Sequence, residues 1–177
     1  MSTDGPTGIA GQGPKPLSGE VVAASIIFGL LGPGFLSLYY LTLFGSLGRG
    51  RHEYPWSFAA WSYGITILKM AALVVWLVLG RRRRPRSAGI LAGVFFVGGL
   101  HALACGLANN GLQREGWWIA IHVQLAYASA LTYLFNSVLV VRRLLASRAR
   151  PWPGFLLGVG IAAGLPAAAE YLLYGPL

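Results

Sequence analysis

The chain has 177 residues, of which 55% are hydrophobic and only 11% charged, with a formal net charge of +9. A soluble domain carries roughly 25% charged residues, so this composition, with its positive mean hydropathy, excludes an ordinary water-soluble globule and indicates a membrane protein. The lone cysteine, Cys105, excludes a disulfide framework, a cysteine zinc cluster and covalent haem attachment. The basic excess lies mostly in two arginine blocks between apolar runs, a mark of membrane topology rather than nucleic-acid binding.

In chain order, residues 1–19 are rich in Gly, Pro, Ser and Thr and contain no apolar run. They read as a disordered cytoplasmic tail rather than a signal peptide. Residues 20–177 then form a single domain with five apolar stretches, about 21–44, 57–80, 87–110, 117–141 and 152–174. Each exceeds the roughly 20 residues that cross a hydrocarbon core at 1.5 Å per residue. Lipid leaves unpaired backbone groups no partner, so the expected fold is all-α: a polytopic bundle of five transmembrane helices.

The first stretch contains Gly32, Pro33 and Gly34, where a missing backbone donor between two glycines predicts a kinked or broken helix. The second contains Lys69, about 13 residues from Trp56 and a similar distance from Arg81, hence near mid-bilayer. A charge there costs at least about 2.5–3.5 kcal/mol and is expected to face the protein interior. The third and fourth contain His101 and His122, each placed by residue counting roughly 8 Å below the outer surface. Gln124 and Tyr63 fall in the same leaflet. The fifth contains Pro166, which frees the carbonyl of Ala162, and Glu170 near the outer boundary.

Arg81–Arg84, Arg86, Arg142, Arg143, Arg148, Arg150 and Lys15 fall on one side of these spans, and only Arg49, Arg51 and Arg114 on the other. The N-terminus and both arginine blocks are therefore expected in the cytoplasm and the C-terminus outside. A weak repeat is also present. Residues 88–104 align without gaps to residues 153–169 with eight identities in seventeen. The preceding spans share an outer tryptophan and an inner Arg-Arg pair, which suggests a duplicated hairpin in parallel orientation.

No catalytic signature is present. The stretch RHEYPW lacks the second histidine of a zincin, and no nucleophile lies beside an evident base in the sequence. The expected site is an outer-leaflet polar pocket of His101, His122, Gln124, Glu170 and Tyr63, with Lys69 and Glu170 as intramembrane charges. Matched histidines are compatible with axial ligation of haem b, with a quinone headgroup, with a proton or ion path, or with a plain hydrogen bond between helices. A metal role for His101 and His122 arises only if haem is bound.

Small size and glycine-faced helices suggest an accessory or binding subunit of a larger membrane assembly, with other membrane subunits or a second copy as partners. The alternatives are a transporter or channel, and a membrane enzyme acting on lipid. The expected location is a bacterial cytoplasmic (inner) membrane, in contact with lipid and with no nucleic acid.

Overall fold

The computed structural model describes residues 17–37, 56–79, 85–111 and 117–174. The tail, the end of the first predicted span, RHEY, Arg81–Arg84 and the loop before Trp117 lie outside the described residues, and so does the Glu170 side chain. The described elements are all helical: α1 (Gly19–Ser37), α2 (Trp56–Leu79), α3 (Pro85–Gly111), α4 (Trp117–Ala146) and α5 (Trp152–Tyr174). Among the described residues three segments, Gly19–Ser37, Arg86–Ala108 and Ala120–Ala146, are long and apolar enough to cross a membrane, with shorter apolar stretches at Ser62–Val78 and Trp152–Ala168.

The bundle buries a set of polar groups within its apolar core and turns large apolar side chains outward. Its buried residues include Lys69, His101, His122, Ser25, Ser129, Asn136 and Ser137. Its outward faces carry Ile67, Val78, Leu131, Leu156 and Leu172, each more than 60% exposed. A chain folding in water avoids such an arrangement, whereas one folding in lipid has no reason to hide Leu and every reason to hide Lys.

Helix α3 is the centre of the bundle. It presents Ala88, Leu91, Ala92, Val94 and Phe95 to its neighbours, all buried, and packs extensively against both α4 and α5. Against α4 the approach is antiparallel: Gly99 lies against Ala130 and Leu134, and Gly106 against Ala126 and Tyr127.

Against α5 the approach is parallel and nearly symmetric. Gly89 meets Gly154 and Gly93 meets Gly158. A Cβ on Gly89 would stand 2.9 Å from the carbonyl oxygen of Pro151, and one on Gly154 would stand 2.7 Å from that of Arg86. Likewise Gly93 faces the carbonyl of Phe155, and Gly158 that of Ile90. Every pair obeys the offset that aligns residues 88–104 with 153–169, so α3 and α5 are related by a local two-fold. The relation does not extend cleanly to the flanking helices. Helix α4 runs along α3 without an extended contact to α5, whereas α2 touches both α3 and α5.

Helix α1 starts at Ser18, whose hydroxyl accepts from Val21 N–H, with Glu20 in the first turn where a carboxylate favours the helix dipole. Residues Ile27–Leu31 form a π-helical turn, and the Gly32 N–H reaches back to Ile27 O. The irregular turn lies just before Pro33, as the Gly-Pro-Gly sequence leads one to expect. Pro33 has no N–H to offer Gly29 O. That carbonyl accepts instead from the Tyr133 hydroxyl of α4 at 2.6 Å. Gly29 also admits the Leu73 side chain of α2 at a contact that a Cβ would block.

Candidate functional site

Helices α2, α3 and α4 meet around Lys69. Its side chain is 3% exposed. Gly98 of α3 makes room for the stem: a Cβ there would stand 2.8 Å from Lys69 Cβ and 3.1 Å from its Cδ. The ammonium lies 5.2 Å from the centre of the Tyr133 ring, a cation–π contact inside the bundle. Among the described residues no carboxylate pairs with it.

One turn further along α3, toward the end of the bundle that carries Trp56, comes His101. Its Nε2 is hydrogen-bonded to Ser62 Oγ of α2 at 2.8 Å, the direction depending on which ring nitrogen holds the proton. The same nitrogen lies 3.6 Å from Cys105 Sγ, one helical turn on. Lys69 is close enough for its charge to act on both His101 and Cys105. Toward the opposite end, Asn136 donates to Ser25 Oγ at 3.0 Å and to Thr132 O at 2.9 Å, and Ser137 donates to Ala92 O at 2.8 Å.

These groups form a polar column. Residues 129, 133, 136 and 137 fall on one face of α4 by helical spacing, and all four are buried. The contact of Gly98 with Lys69, and of Lys69 with Tyr133, sets the middle level. His101 and Ser129 lie about one turn from it on one side, with Ser62 and Cys105 beyond, while Asn136 and Ser25 lie about one turn away on the other side. The column passes through the centre of the bundle, where a purely apolar core would pack as well without the cost of burying charge.

The expected pocket is only partly assembled. His101 and His122 are both buried, as a shared interior site requires. They are not at one level. With Gly99 against Ala130 and Leu134, and Gly106 against Ala126 and Tyr127, His101 falls opposite about residue 130 of α4, roughly 12 Å inward of His122 along the axis. Axial ligands of one haem face each other across a single iron, and this offset, with His101 Nε2 already engaged by Ser62, does not fit that role.

Gln124 is exposed on the outer face of α4, away from the column. Tyr63 is half-buried next to Ser62, and its hydroxyl donates to Ser37 O of α1 at 3.4 Å. Pro166 packs against Gly64 of α2. Counted from that contact, the backbone levels of Lys69 and Glu170 differ by roughly 13 Å, in line with the different depths read from the sequence.

Sequence reasoning missed the Ser62–His101–Cys105 grouping. Cys105 is four residues after His101, so that half was readable from helical spacing. Ser62 was not, because nothing in the sequence sets the rotation of α2 against α3. The grouping brings a hydroxyl and a thiol beside an imidazole, where the sequence shows no nucleophile next to a base. Among the described residues no cluster of three or more His, Cys, Asp or Glu is placed to hold a metal ion.

No protein-family model, curated protein or solved structure matches this chain.

Proposed function

We propose that the chain is a five-span transporter of a bacterial cytoplasmic membrane, with its N-terminus and arginine blocks inside and its C-terminus outside. Its substrate path is the polar column around Lys69. The observation that carries this reading is the burial of Lys69 at 3% exposure in the middle of the bundle. Intramembrane ionisable groups are costly, and their common uses are substrate sites, ion paths and proton relays. Two further features agree with it: a π-helical turn within α1 near the site, of a kind frequent at functional sites, and a two-fold pairing of repeated segments, recurrent in membrane transporters.

The composition ranks an accessory-subunit role first, and the buried column reverses that order. The test is a proteoliposome swelling assay with a panel of salts and small organic solutes. Wild-type protein is expected to pass at least one solute that Lys69→Met does not pass at matched protein incorporation. Vesicles impermeable to the whole panel would sink the transport reading.

The subunit reading has one observation of its own. Gly160 and Gly164 lie on an exposed face of α5 with open space where a side chain would stand, and small faces favour helix association in lipid. Stoichiometric partner chains co-purifying with wild-type protein and lost in Gly164→Leu would favour it. A homogeneous monomer would count against it.

A further inference from the structure

The described members of the column include one side chain of fixed charge, and it is a cation. The Lys69 ammonium lies over the Tyr133 ring and within electrostatic reach of His101 and Cys105, Ser62 is hydrogen-bonded to His101, and Ser129 lies one turn from Tyr133 on the same buried face of α4. No carboxylate is among them. The Ser129 hydroxyl is 1% exposed and has no hydrogen-bond partner among the described residues. It sits on the same face of α4 as Tyr133, one turn nearer the Trp56 end. The Lys69 stem is held in the groove that Gly98 leaves, so the ammonium is kept at this level by packing rather than drawn to either end of the bundle.

We infer that Lys69 is the fixed counter-charge for a small monovalent anion bound in the column between the Lys69 and the His101–Ser129 levels. This inference rests on the column being the working site. Charge balance sets the valence. One ammonium and one monovalent anion leave the interior neutral, whereas a dianion leaves a net charge in a medium that tolerates none. Donor chemistry agrees, because the ammonium and the Ser129 hydroxyl supply protons to an acceptor and no described carboxylate competes for them. Size is limited by the close approach of α2 to α3 at Gly98.

The test is thermal unfolding of the purified full-length protein in detergent. Chloride, nitrate and thiocyanate are titrated against gluconate at constant pH and ionic strength. Wild-type protein is expected to show a saturable rise in midpoint with at least one of these anions and none of that rise with sulfate. Lys69→Arg keeps the rise, Lys69→Met loses it, and Ser129→Ala needs several-fold more anion to reach it. Equal rises in wild-type and Lys69→Met protein, or no rise at all, overturn the inference. Should Lys69→Met not fold, an unchanged titration in Ser129→Ala overturns it instead.

The two readings fail separately. A saturable, Lys69-dependent rise in vesicles that carry no flux keeps the anion site and removes transport. Lys69-dependent flux of protons or cations without any anion-dependent rise does the reverse.

Discussion

At the scale of single residues, the site depends on what Tyr133 does with its two ends. Its ring faces the Lys69 ammonium, and its hydroxyl donates to Gly29 O, the carbonyl to which Pro33 has no N–H to offer. Removing that hydroxyl strands a buried carbonyl, which costs about 1–3 kcal/mol. Tyr133→Phe should lower stability by that amount in a denaturant titration in detergent. In a Pro33→Ala background residue 33 regains an N–H able to reach Gly29 O, so the cost of Tyr133→Phe should fall to less than half. Equal costs in the two backgrounds would show that the hydroxyl does not substitute for the missing helical bond. Lys69 and the helix irregularity before Pro33 are both legible in the sequence, each by violating the chemistry of its surroundings. Their link through Tyr133 is not, because an aromatic residue in an apolar span carries no mark of its partner.

At the scale of elements, the helices follow hydropathy closely. Four of the five predicted stretches, 57–80, 87–110, 117–141 and 152–174, correspond to α2, α3, α4 and α5. Helix α4 runs on to Ala146, past the apolar limit, because Arg142 and Arg143 suit a helix C-terminus and the Arg143 guanidinium rests 5.8 Å over the Trp76 ring. It then closes in a Schellman motif. The Ala149 N–H donates to Leu144 O, the Arg148 N–H donates to Leu145 O, and Arg148 takes the left-handed conformation at φ 55°. Glycine adopts that conformation without the steric cost borne by arginine, so Arg148→Gly should stabilise the protein by about 1 kcal/mol in the same titration. Depth is where element-level reading fails. Counting His101 from one end of α3 and His122 from the other end of the hairpin assumes both helices fit one slab, but α3 has 27 residues, more than the slab needs. The excess shifts the two histidines out of register.

For the molecule as a whole, the glycine seam between α3 and α5 and the open glycine face of α5 give a direct contrast. Adding a methyl at Gly93 drives it into the backbone of Phe155 and Val159, while Gly160 and Gly164 have free space. Gly93→Ala should cost about 1–3 kcal/mol, whereas Gly160→Ala and Gly164→Ala, with nothing to strike and a better helix former in place, should leave the monomer unchanged or more stable by up to about 1 kcal/mol. The proposed orientation can be checked in a Cys105→Ala background, which has no other cysteine. A cysteine introduced at Ser147 should react with impermeant maleimide only from the cytoplasmic side, and the opposite result would invert the topology. The repeat in residues 88–104 and 153–169 is visible as an alignment. That the aligned positions touch one another emerges only in three dimensions.

The groove at Gly98 has a consequence for how this sequence can change. The lysine stem fills the volume that a side chain at position 98 would occupy, so the two positions share one allotment of space. Gly98→Leu alone would evict the lysine, and Lys69→Ala alone would leave a void. Across related sequences the two sites should therefore covary, with a long side chain at 69 appearing together with a glycine at 98 and a short one accompanied by a larger neighbour.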